Sequence, residues 1–257
     1  RKGCLGWVDE PFSGHAVLVE WGTGCIIRDA RNQKITGPKV PFRQTAPLNE
    51  QEFLDHARDR DIENDVDWMY QDHKGNVPIG IGHKVATAED AVVLVAFFED
   101  RDDPATPITD DAIRAAYLAV KQDPHTGKLF GHFETHTALR LKSLASSEIF
   151  HKDVDRILGE LAAHSEYSPH KFETFPPDAK FAIMDMAFNM GAAGVAHVYS
   201  RFTAAVSRRN WALAATESDR PDLSPKRNQV VRTRLENAAR LELFFIDPDC
   251  RRPKARQ

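Results

Sequence analysis

Residues Asp61 to Lys84, DIENDVDWMYQDHKGNVPIGIGHK, decide how the rest of the chain is read. The stretch carries Glu63, then Tyr70 and Asp72, a turn at Gly75, and the glycine-spaced run Ile79-Gly80-Ile81-Gly82-His83. Upstream, Asn49 can cap a helix from Glu50 to about Asp65, and Phe53, Leu54, Ala57 and Ile62 give that helix a thin apolar stripe. Downstream, Trp68 to His83 reads as short strands turning at His73-Lys74-Gly75-Asn76, where Lys-Gly-Asn supplies the positive-φ positions of tight turns. Gly80 and Gly82 leave room for close approach to the backbone, by a substrate or by a neighbouring element. Glu63 thus stands near a helix end and Asp72 follows nine positions on, past the change to strand, where two carboxylates can face each other across a cleft. Glycosidic bond cleavage needs such a pair: one proton donor, and one carboxylate that handles water or the cation-like sugar centre. The plainer alternative is that Glu63 is one more acid on a solvated helix.

The spacing Glu-x6-Tyr-x-Asp-x2-Gly at Glu63, Tyr70, Asp72 and Gly75, followed at once by Ile-Gly-Ile-Gly-His, resembles the signature of the phage-type lysozymes (muramidases). Two further blocks are similar to the same family, in its order. Ala179 to Ala215 (AKFAIMDMAFNMGAAGVAHVYSRFTAAVSRRNWALAA) looks like its C-lobe core helix and the helices after it, and Ser224-Pro225-Lys226-Arg227 with VVRTRLENAARLELF like its closing helix. The resemblance implies an α+β, mainly α, lysozyme-like two-lobed fold with a small β-sheet lobe and a helical C-terminal lobe. It implies hydrolysis of the β-1,4 bond between N-acetylmuramic acid and N-acetylglucosamine, with inversion and without a cofactor. Glu63 would be the general acid, kept protonated by burial, and Asp72 the second carboxylate. Tyr70 would support the sheet beside Glu63, and His83 would pair with Asp153 as a structural ion pair. Asn189 matches a cleft-floor position that bonds a sugar N-acetyl group; capping its own helix is the alternative. Ser224 and Arg227 match the far rim, where Arg227 would hold a muramyl carboxylate or peptide stem, unless it is an ordinary surface arginine.

Two positions depart from the family's pattern. The family carries Thr six positions after the Asp, where its hydroxyl helps hold the attacking water; here that residue is Pro78, with neither hydroxyl nor backbone N–H. His73 and Asn76, from the same turn, are the candidates to position water instead. The residue after the Glu, a Gly in the family, is Asn64.

The chain has 257 residues, enough for one large or two small domains, and is 42% hydrophobic and 28% charged, as a globular protein is. Its net charge of −4 gives no sign of nucleic-acid binding, although arginines concentrate after Arg201 and could face an anionic polymer such as peptidoglycan. The longest apolar run, Ala91 to Phe98, is too short to span a membrane. Cys4, Cys25 and Cys250 have no metal-ligand spacing, and their pairing is not readable from sequence. Histidines at 125, 132, 136, 151, 164 and 170 include one ligand-like spacing, His132-x3-His136, and otherwise read as scattered, so no metal is expected.

The rest of the chain supplies boundaries. Residues 1 to 48 read as a small β-rich segment or the tail of a preceding domain, with a hairpin at Gly22-Thr23-Gly24. Residues 49 to 246 form the lysozyme-like domain and 247 to 257 a tail. Within it, Thr87 caps a helix running to Phe98, Thr109 caps another to Gln122, and Ser147 begins one reaching about Ala163. Compared with the family, residues 89 to 146 look like an insertion, of the kind that serves as a lid or partner surface. A lytic transglycosylase using Glu63 alone, and a non-catalytic peptidoglycan-binding domain, are the competing readings. The start at Arg1 rather than Met and the β-rich opening favour the C-terminal domain of a bacterial effector delivered to a competitor's periplasm over a phage lysis enzyme. The expected partner is the peptidoglycan glycan strand, and the effector reading adds an immunity protein or a delivery apparatus.

Overall fold

The described residues of the N-terminal segment are strands. Strands β1 (Leu5–Asp9), β2 (Ala16–Glu20) and β3 (Cys25–Arg28) form an antiparallel sheet in sequence order, with a register irregularity between Leu18 and Val19. The computed structural model describes residues 47–59, 61–125 and 129–240 in full, and residues 5–9, 16–20, 25–28 and 241–246 as backbone only. Cys4, Cys250 and the expected Gly22-Thr23-Gly24 turn lie outside the described residues.

From residue 47 onward the chain is mainly helical with two small antiparallel sheets, and it divides into two compact units, Glu50–Gly159 and the remainder. In the first, α1 (Glu50–Ala57) is shorter than expected. It stops because the next residues turn back on it: Asn64 donates to the Asp59 carbonyl at 3.3 Å and Glu63 to the Ala57 carbonyl at 3.3 Å. The turn expected at His73–Asn76 is present, with Tyr70 N bonded to Pro78 O at 3.2 Å and Asp72 N to Asn76 O at 3.0 Å. Regular strand, however, is confined to β4 (Val77–Ile79) and β5 (His83–Val85), which turn at Gly80 and Gly82, both at positive φ (59° and 68°). Only glycine takes that conformation without steric cost.

Residues 89–146 are not a lid. Thr87 closes a capping box on α2 (Ala88–Val93), which ends five residues earlier than expected, before strand β6 (Phe98–Asp100). Thr109 caps α3 (Asp110–Lys121), and β7 (Leu139–Leu141) returns antiparallel to β6. Phe98, Ile113, Tyr117, Val120, Phe133 and Leu141 are buried in one core with Met69, Val77, Ile79 and Val85. Residues 89–146 therefore supply much of the apolar material under the Asp61–Lys84 hairpin, at about 1.5–3 kcal/mol for each large side chain fully buried. Helix α4 (Ala145–Ala162) follows.

The second unit is helical from residue 160. After the short α5 (Pro169–Glu173), α6 (Pro177–Ala193) is buried along nearly its whole length and packs against the final helix. Gly191 breaks it (φ 78°, ψ 159°), a π-helical turn Gly194–Val198 follows, and α7 (Ser200–Ser207), α8 (Trp211–Glu217) and α9 (Pro225–Ile246) complete the unit. Among the described residues, Pro177–Val198 is long and apolar enough to cross a membrane by length and composition alone, its most apolar stretch reaching a mean hydropathy of 1.2. Half of that stretch is buried within the protein, and the segment carries Asp178, Lys180 and Asp185, as in the core helix of a globular unit.

Candidate active site

Glu63 sits in the turn after α1, half-buried, and its carboxylate lies over the second glycine of the β4–β5 turn. A Cβ on Gly82 would stand 2.8 Å from Glu63 Oε2 and 3.1 Å from its carboxyl carbon. The close approach that the glycine spacing suggested is thus made by Glu63 itself. The next residue, Asn64, has φ +69°. Asn is among the few non-glycine residues that tolerate the left-handed region, the conformation that most often calls for glycine.

Asp72 is fixed by its own turn. Its Oδ1 accepts from Lys74 N and Asn76 N, each at 2.8 Å, and its Oδ2 accepts from Asn76 Nδ2 at 2.7 Å. Asn76 therefore also holds the carboxylate with its side-chain N–H, while His73 is exposed on the turn. Pro78 is buried and accepts from Tyr70 N. An antiparallel pair of this kind exchanges two bonds, and Pro78 can make only the one. Burial, then the charges of Glu63 and Asp72, push the Tyr70 phenol well above its usual value. The phenol stays a donor within the field of both carboxylates.

The pair implied at the base of the hairpin is present: His83 Nδ1 lies 2.7 Å from Asp153 Oδ2 on α4, across 70 positions of sequence. Burial raises the Asp153 carboxyl, but the bond to His83 and then Arg156 outweigh it and leave the group below its usual range.

The residues expected from the C-terminal blocks fare differently. Asn189 is half-buried near the end of α6, and its amide bonds none of the described residues, so it does not cap its own helix. Ser224 is the first-turn cap of α9, its Oγ accepting from Arg227 N at 3.2 Å. Arg227 is not on any rim. It is 3% exposed, and its Nε is 3.2 and 3.1 Å from the two oxygens of Asp185, which is fully buried and also takes Arg220 Nη2 at 2.7 Å. Both arginines are consumed in neutralising Asp185, and a motif match carries no information about which way a side chain faces.

No protein-family model and no curated protein matches this chain. The likeness to phage-type lysozymes therefore rests on the residues quoted and on where they lie.

Two features escaped the sequence reading. Gln71, between Tyr70 and Asp72, donates its amide to the carbonyls of Val120 (2.9 Å), Lys121 (2.8 Å) and Asp123 (3.3 Å), anchoring the hairpin to the end of α3. The histidines are also not all scattered: His125, His132 and His136 converge on Asp123. The Asp-x-His pair ahead of His132-x3-His136 was the available signal, and counting histidines without acids hid it.

Proposed function

We propose that this protein is a peptidoglycan hydrolase of the phage lysozyme type, cleaving the β-1,4 bond between N-acetylmuramic acid and N-acetylglucosamine in the bacterial cell wall or periplasm. The observation that carries this reading is the His83–Asp153 pair, a long-range contact that the resemblance implies and that no local pattern supplies. The placement of Glu63 against Gly82, with the Tyr70 phenol in the field of both acids, supports it further.

In this reading Glu63 protonates the oxygen of the departing sugar. A general acid of this kind contributes about 10²- to 10⁴-fold in rate. Asp72, held rigid by three donors, opposes the positive charge that develops at the sugar ring, a fixed charge that needs no reorganisation during the reaction. Tyr70, still protonated, bounds the same site.

A second reading draws support from Asp72 itself. Each of its oxygens already accepts a bond from its own turn, and Pro78 offers no hydroxyl to share a water. That suits a lytic transglycosylase, in which the sugar's own hydroxyl attacks and no water is held.

Digestion of purified peptidoglycan by wild type, Glu63→Gln and Asp72→Asn, with products identified by mass spectrometry, tests both. Reducing-end muropeptides lost in both variants are expected for the hydrolase. Anhydro-muropeptides that survive Asp72→Asn would move the reaction to the transglycosylase. Binding to sacculi with no product from wild type would refute catalysis and leave a binding domain.

A further inference from the structure

Beyond the end of α3 the chain makes two 3-10 turns, Phe130–His132 and Glu134–His136, and four side chains of this stretch meet. His125 Nδ1 is 3.0 Å from Asp123 Oδ1, while His132 Nε2 is 3.2 Å and His136 Nε2 2.6 Å from Asp123 Oδ2. One donor atom each from Asp123, His125 and His132 falls within 4.8 Å of the other two. The rings themselves are crowded, with His132 5.3 Å centroid to centroid from both His125 and His136. Three imidazoles turned nitrogen-first toward one carboxylate is more than hydrogen bonding to that carboxylate requires.

It is also an arrangement from which a metal ion can draw donors, Asp123, His125 and His132 each offering one. Zinc bound at 2.0–2.1 Å to nitrogen and oxygen holds neighbouring donor atoms roughly 3.3 Å apart. A set of imidazoles and one carboxylate suits zinc-class ions. The donors are also pre-positioned. Phe133, between His132 and His136, is fully buried in the core, and Gln71 holds the Asp123 carbonyl. Trp68 Nε1 donates to the Phe130 carbonyl at 3.0 Å, and the Phe130 ring packs against both Trp68 and Tyr70.

We propose that Asp123, His125 and His132 form a binding site for a divalent zinc-class metal ion, with His136 orienting the Asp123 carboxylate, and that the ion ties the end of α3 to the first 3-10 turn. Three protein donors would hold the ion, with water completing a tetrahedral set. The site stands whether or not the reading of Glu63 holds, because none of its donors takes part in that chemistry.

The test uses the full chain, without a polyhistidine tag, stripped with chelator and titrated with zinc chloride by calorimetry. Bound metal is then counted by elemental mass spectrometry after desalting. One zinc per chain is expected, with a rise in Tm of roughly 5–10 °C when free zinc is a hundred-fold above Kd. The double variant His125→Ala, His132→Ala should lose both, and His170→Ala, at an exposed histidine, should keep both. Should the double variant fail to fold, cobalt(II) added to the stripped wild type decides: intense visible absorption of a tetrahedral ion supports the site, and the pale spectrum of an octahedral ion refutes it. Zinc bound only at millimolar concentration, or bound equally by the folded double variant, overturns the proposal.

Discussion

Asp72 and Asp185 are both carboxylates gripped by several donors, yet they do opposite things with their charge. Asp72 is half-exposed, and its donors are two backbone N–H groups and a neutral amide from the same turn. They orient the carboxylate and leave its negative charge uncompensated. Asp185 is fully buried, and its donors are guanidinium groups brought from 35 and 42 positions away in sequence. They cancel the charge. A group meant to oppose positive charge on a substrate has to keep its own, so the unit built around the hairpin holds the candidate chemistry, and the buried charges of the helical unit are framework.

The largest effect that can break this contrast is on activity. Glu63→Gln should lower the rate of peptidoglycan cleavage by about 10²-fold or more with the melting temperature nearly unchanged. A variant that digests sacculi normally would remove Glu63, and with it the whole assignment of the hairpin.

Arg227 sharpens the contrast from the other side. Removing one partner of a buried ion pair leaves an uncompensated charge and costs about 3–5 kcal/mol. Arg227→Ala should therefore fall near the lower end, since Arg220 still contacts Asp185, and the fraction that remains folded should cleave with unchanged kcat and KM. Denaturant unfolding alongside kinetics separates the cases: a raised KM at full stability would restore Arg227 to the substrate site.

How much of this was legible in the sequence follows the same division. The hairpin's turns, the caps at Thr87 and Thr109, and the buried run of α6 are local, set by residues within a few positions of each other, and the sequence reading found them. The His83–Asp153 contact is long-range and was found only because a resemblance carried it. What was missed is long-range with no motif behind it: the arginines that close on Asp185, Gln71 spanning to α3, and residues 89–146 folding into the core instead of over it. Each depends on which face of an element meets which neighbour, and hydrophobic spacing fixes that only up to the choice of partner. Glu63 on Gly82 is an intermediate case, since glycines announced a close approach without saying to what.

Gly82→Ala tests that approach directly. At φ +68° an alanine costs about 1–2 kcal/mol from backbone sterics alone. Its Cβ would also occupy space 2.8 Å from Glu63 Oε2, so the carboxylate must move. Displacements of about 1 Å at a reacting group can cost 10²-fold in rate, so activity should fall further than stability explains. Gly80→Ala is the control: it shares the positive φ but meets Leu141 and Ser146, not Glu63, and should lose stability without the added loss in rate. Equal rate losses in the two would mean that the turn as a whole, and not the Glu63 contact, governs activity.

The smallest effect is at Asn64, where the backbone conformation outranks the side chain. With φ at +69°, Asn64→Gly should be neutral or slightly stabilising, while Asn64→Ala should cost about 1 kcal/mol. The side chain does make one bond, Oδ1 accepting from Asp65 N at 3.0 Å, which both substitutions remove equally. The difference between the two variants therefore isolates the left-handed conformation from that bond. If Gly and Ala prove equally destabilising, the bond is what matters, and the turn that aims Glu63 is held by its side chains. If Ala alone loses stability, the position demands a residue that tolerates positive φ, and Asn64 answers the same backbone requirement as the glycine in the lysozyme pattern.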